Sequence, residues 1–249
     1  MRQGPLLVTA AMLLILSNLS MSAQPLSTTA AMPANAENVR RIQEQIDAAG
    51  IDAAAYFARH PDVGRRVLDI ARTDISTMKR SRALSEQHSA YLAALIEIVG
   101  QIGDARAVDL LLDDFVFTQG NNAPRGIARF GSSVVNRMSR LYLNAPSDSV
   151  RISVLLTFKF MLKGRHLSPD TAEYRSVRGQ LLRASGHANP LIRICSMQGM
   201  AALYTDPAAE AVMRRIARGD LHRITLDGRP VFPVRDAAVE ALAELRSNR

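Results

Sequence analysis

Three stretches of this chain repeat one another at a fixed interval, and that repetition limits the folds open to it. Val150-Arg151, Ile192-Arg193 and Val234-Arg235 stand 42 residues apart in turn. Apolar positions further along coincide at the same interval: Leu155, Met197 and Val239, then Phe158, Met200 and Leu242, then Met161, Leu203 and Leu245. A period near forty residues, filled by apolar positions three or four apart, is the mark of stacked helix pairs. Each pair buries its apolar face only against its neighbours, so the chain is expected to be all-α and built by stacking.

Composition agrees with helix. Trp is absent and aromatic residues make up 5% of the chain, so Ala, Leu, Val, Ile and Met carry most of a 47% hydrophobic content. That balance favours helix over sheet. The N-terminus has a different character. Arg2, an apolar run from Leu6 to Leu16 and the small residues up to Ala23 read as an export signal over residues 1–23. The run is shorter than the roughly 20 apolar residues a membrane span needs, which leaves a retained anchor as the alternative. Residues 24–36, rich in Pro, Ser, Thr, Ala and Asn, are expected to form a flexible leader. Export and a single cysteine, Cys195, together mean that no internal disulfide holds the fold. Within the central helical run, Cys195 reads as a small buried hydrophobe.

Three short helices are expected next, over Glu37–Ala49, Asp52–Arg59 and Pro61–Arg72, with Gly50 and His60-Pro61 as breaks. They do not share the later period, so residues 37–80 are taken as an N-terminal helical cap on a repeat domain over 81–249. The stretch from Tyr91 through Gly100-Gln101-Ile102-Gly103-Asp104 to Arg106-Ala107-Val108 resembles the bacterial HEAT-repeat pattern of helix, tight turn and helix. Gly103 is expected to take the left-handed conformation, and Asp104 to cap the second helix. Ile127 to Val135, with Gly131 between two helical patterns, is a second and weaker match. The resemblance covers about residues 89–246 and implies an α-solenoid of stacked antiparallel helix pairs.

Ser168-Pro169, Asn189-Pro190 and Asp206-Pro207 share one helix-start device, a short polar cap followed by Pro. With the echoes they place helices over 149–163, 169–184, 190–204, 207–218 and 233–246. The segment 219–232 interrupts this spacing. Its Asp227-Gly228, flanked by Ile224, Leu226, Val231 and Phe232, reads as a short hairpin, in a loop long enough to carry binding residues or to be a tolerated insertion.

No catalytic motif for a nucleophile elbow, zinc helix, phosphate loop or dinucleotide site is present. No cofactor, metal or catalytic residue is therefore assigned. His166 with Asp170 and Glu173 reads as a solvated helix entry, and Asp113-Asp114 as a solvated face at a helix end. Charge carries more. The net is +8, yet 83–123 holds six acids and one base, whereas 124–193 holds twelve bases and three acids. Arg137 with Arg140, Arg175 with Arg178, and Arg214 with Arg218 recur three or four apart on successive second helices. Stacking would line them up as a basic ridge; the alternative is a merely solvated face.

The resemblance implies a non-catalytic scaffold or adaptor, exported to the periplasm or secreted, binding a protein partner with an acidic surface. Nucleic acid is not expected as a partner at that location. The alternatives are an enzyme similar to the HEAT-like bilin lyases, or a binder of anionic polymer or lipid surface through the basic middle.

Overall fold

The computed structural model describes residues 35–81, 86–118, 120–203 and 206–247. The expected export signal and nearly all of the leader fall within 1–34, outside the described residues. Among the described residues there are thirteen α-helices, one 3-10 turn and a two-stranded hairpin. The described part of the chain is thus all-α apart from the hairpin. It divides into two compact units between Val134 and Val135.

The first unit holds α1 (Ala36–Ala48), α2 (Ala53–Arg59), α3 (Pro61–Ser81), α4 (Glu86–Val99), α5 (Ala105–Leu111), α6 (Asp114–Phe117) and α7 (Asn122–Ala128). Side-chain caps start three of them: Asp52, Asp104 and Asp113 each accept from a backbone amide two residues on. Asp113 therefore opens a helix and also receives Lys79 Nζ at 2.7 Å, while Asp114 lies on an exposed face. Helix α3 runs past Arg72, because Ile75 and Met78 continue its buried stripe. A polar tie crosses the core. The carboxylate of Asp74 on α3, itself 6% exposed, accepts from Tyr91 Oη on α4 at 2.5 Å and from Asn35 Nδ2 before α1 at 2.9 Å. Burial, then the bond to Asp74, pushes the Tyr91 phenol well above its usual range.

The turn after α4 differs from expectation at Gly103, which is not in the left-handed region. Gln101 and Ile102 instead donate to Ile98 and Val99, and these three-residue bonds close the turn without a left-handed residue. The glycine that matters is Gly100. A Cβ there would stand 2.6 Å from Gly126 Cα, and a Cβ on Gly126 would stand 2.8 Å from Gly100 Cα. The end of α4 and helix α7 thus meet backbone to backbone.

Helix α8 (Ser132–Leu143) spans the division, with Gly131 before it at φ 54°. The second unit continues with α9 (Asp148–Lys163), α10 (Ala172–Ala184), α11 (Pro190–Met200), a 3-10 turn (Ala201–Leu203), α12 (Pro207–Gly219), strands β1 (Ile224–Leu226) and β2 (Arg229–Val231), and α13 (Pro233–Ser247). Asn189 and Asp206 cap their helices with Pro following, as expected. Ser168-Pro169 does not start α10. Thr171 does, accepting from Tyr174 N at 3.2 Å, while Pro169 sits in the preceding turn closed by Thr171 N to Ser168 O.

The 42-residue echo is a packing pattern. Helix α11 lies between α9 and α13, while α10 packs on α11 and α12 on α13. Val150, Ile192 and Val234 are all buried, as are Phe158, Met200 and Leu242, and Met161, Leu203 and Leu245. Leu155 and Met197 are fully buried as well, but Val239 is 56% exposed. Its side of α13 has no helix over it among the described residues of this unit. The hairpin is present as expected, with Leu226 opposite Arg229 and positive φ at both Asp227 (51°) and Gly228 (74°), the signature of a two-residue type I′ turn.

Candidate interaction surface

Helices α8, α10 and α12, which carry the six paired arginines, are joined by side chains in the second unit. Ser139 on α8 lies 3.5 Å from Ser176 on α10 and accepts from Gln180 Nε2. Arg178 on α10 reaches Asp206, the cap of α12, through Nε and, at 3.1 Å, through a terminal nitrogen. The arginines along these helices are not equivalent. Arg137, Arg140, Arg175, Arg214 and Arg218 are exposed, whereas Arg178 is half-buried. Arg175 donates to the Asp170 carbonyl at 2.9 Å, and Arg214 pairs with Glu210 one turn earlier at 2.5 Å.

Arg178 therefore works inside the fold. Burial raises the pKa of the Asp206 carboxyl, but the bonds from Arg178 and from the amides of Ala209 and Ala208 outweigh it and hold it below the usual carboxylate range. This one carboxylate caps α12 and anchors α10 to it. Sequence spacing puts Arg178 and Arg175 on one helix face, but which acid the neighbouring helix presents is settled only by the packing.

A second set of ties runs along the layer of α9, α11 and α13. Asn189, the cap of α11, also donates to Asp148 on α9 at 2.8 Å, and that bond leads the causes that lower the Asp148 pKa. Arg193 on α11 grips both oxygens of Asp220 at 2.9 and 3.1 Å, with side chains only 14% and 10% exposed. Arg235 on α13 donates to the Asp220 carbonyl at 2.6 Å and lies 4.2 Å from the Phe232 ring centre. The repeated Arg193 and Arg235 of the echo thus meet at one residue, a link that their spacing does not reveal.

Lys159 is a further group without a sequence signal. It donates to Gln198 on α11 at 3.0 Å, and burial, with Lys163 beside it, holds its ammonium below the usual lysine range. Cys195 is buried, and burial pushes its thiol up to about 12, so it stays protonated and unreactive near neutral pH. Among the described residues, no three His, Cys, Asp or Glu side chains are grouped to hold a metal. His166, Asp170 and Glu173 form no such group. No described helix is long and apolar enough to cross a membrane.

A groove of about 270 Å³ between α1 and α3 is lined by Asn38, Arg41, Gln45, Asp62 and Arg66, with Arg41 tied to Glu37 at 3.0 Å. The cleft beside Gly100 and Gly126 holds about 10 Å³, no more than one water. No protein-family model, curated protein or solved structure matches the chain.

Proposed function

We propose that this chain is an exported, HEAT-like scaffold without catalytic activity of its own, which binds an acidic face of a partner protein through the arginines of α8, α10 and α12. The solenoid reading is supported by the two-layer arrangement of α9 to α13, in which helices 42 residues apart lie side by side. The observation that carries the binding reading is that Arg137, Arg140, Arg175 and Arg218 stand exposed on helices held next to one another by Ser139, Ser176 and Arg178. Guanidinium groups recognise carboxylates in a bidentate fork, and several in a row favour a surface of many acids.

The test is crosslinking and pull-down from the native cell envelope with the chain from residue 24 onward. Changing Arg137, Arg140, Arg175 and Arg218 together to Glu is expected to lower recovery of the partner at least about tenfold and to remove its salt sensitivity, since exposed charges are screened beyond about 8 Å at physiological ionic strength. Equal recovery by the wild type and this variant overturns the assignment.

A further inference from the structure

The two edges of the hairpin are unlike. Leu226 and Arg229, beside the turn, exchange ladder hydrogen bonds, and so do Ile224 and Val231. Thr225 and Pro230 form the intervening pair, whose backbone groups point away from the partner strand. On β2 that outward position is Pro230, which has no N–H to offer, so the edge is closed. On β1 it is Thr225, whose N–H and C=O point away from β2 on the side where no third strand lies among the described residues. Natural proteins blunt exposed edges; here only one strand of the two is blunted.

The open edge is longer than the three residues of β1. From 221 to 226 exposure alternates, with Leu221, Arg223 and Thr225 outside and His222, Ile224 and Leu226 half-buried. This is the period of an extended strand. Leu221 is 86% exposed, the most exposed large apolar side chain among the described residues. The charge around it is positive, from exposed Arg218, Arg223 and Arg229. Of the two carboxylates in this stretch, Asp220 is already taken by Arg193 and by the His222 amide at 2.9 Å, and Asp227 is exposed in the turn, which leaves three exposed arginines against one exposed acid.

We infer that the outer edge of β1 takes up an extended acidic segment of a protein partner as a third strand, with ladder bonds at Thr225, a carboxylate against Arg223 and an apolar side chain on Leu221. Backbone pairing supplies the affinity in such additions and alternate side chains supply the choice of partner. The inference rests on the reading of the chain as a binder of acidic protein, but its contacts are the β1 edge, Arg223 and Leu221, and of the paired helix arginines it draws only on the charge of Arg218.

The experiment measures fluorescence anisotropy of the chain from residue 24 onward with a labelled peptide of about eight residues, blocked at both ends, in which Val and Glu alternate at every second position with Thr between them, so that both lie on one face. Thr225→Pro closes the edge at a position where the hairpin itself loses no bond. It is expected to weaken binding at least about tenfold, as is Arg223→Glu, while Thr225→Val binds like the wild type. The same peptide N-methylated at every amide is expected not to bind, since neither of its edges can then donate, a readout that holds even if Thr225→Pro fails to fold. Equal binding of the methylated peptide, equal binding by a folded Thr225→Pro chain, or no binding of the parent peptide overturns the inference. A threefold variant, with Arg137, Arg140 and Arg175 changed to Glu and Arg218 left in place, separates the two surfaces. If it loses the envelope partner while Thr225→Pro still binds the peptide, the edge falls and the helix surface stands; the reverse pattern sinks the helix surface alone.

Discussion

The two compact units solve the same problem, holding short amphipathic helices together, by opposite means. In 135–247 the solution is reused. Helices 42 residues apart bury equivalent positions, and each joint is pinned by a polar pair at a helix end: Asn189 to Asp148, Arg178 to Asp206, Arg193 to Asp220. In 35–134 each joint is made once. Asp74 gathers Asn35 and Tyr91, Lys79 reaches Asp113, and Gly100 lets α4 touch α7. A reused joint leaves a periodic trace in the sequence, whereas a joint made once leaves none.

The sharpest way to break this contrast is within the echo itself. Met197→Ala is expected to cost about 3 kcal/mol, the usual range for emptying a packed core site, while Val239→Ala at the equivalent, exposed place changes stability by no more than about 0.5 kcal/mol. Hydrogen exchange over α9, α11 and α13 reads both; equal costs would mean that the repeat does not end its burial at α13. In the other unit, Gly126→Ala places a Cβ 2.8 Å from Gly100 Cα and 3.1 Å from a Leu111 methyl. Backbone on one side cannot yield as a side chain can, so a loss of about 2 kcal/mol is expected in urea unfolding. A neutral result would show that α4 and α7 slide apart freely.

A smaller loss than at Met197 or Gly126 belongs to the polar pins. The Asp206 carboxyl titrates below its unfolded value, so its pairing stabilises the fold above a pH of about 4 and is lost as pH falls through the folded pKa. Arg178→Ala is expected to cost about 1 kcal/mol at neutral pH, discounted because the guanidinium is 37% exposed, and to flatten that part of the acid limb. Stability curves from pH 7 down to about 3 measure both, and an unchanged acid limb would remove Asp206 from the account.

Much of the helical layout is legible in the order of the residues. The caps Asn189 and Asp206, the Asp227-Gly228 turn and the buried echo positions all follow from local chemistry. Val239 shows the limit: an interval tells which side of a helix is apolar, not whether a neighbour lies over it. Gly103 has the place of a turn glycine because it precedes a capping Asp, yet the chain turns earlier and uses its essential glycine for a contact with Gly126. Among the arginines, spacing assigns a helix face but cannot see that the next helix begins with Asp206. The unlike edges of the hairpin need the register, although Pro230 is a visible hint that one edge is closed.

One buried group turns these joints into something that can be timed. Cys195 is the single cysteine of the chain and lies in the middle helix of the α9, α11 and α13 layer, its thiol held protonated by its surroundings. A thiol reagent can modify it only when that layer parts. The rate of labelling in native buffer is therefore a clock for opening of this one layer, silent about 35–134, and it needs no introduced probe.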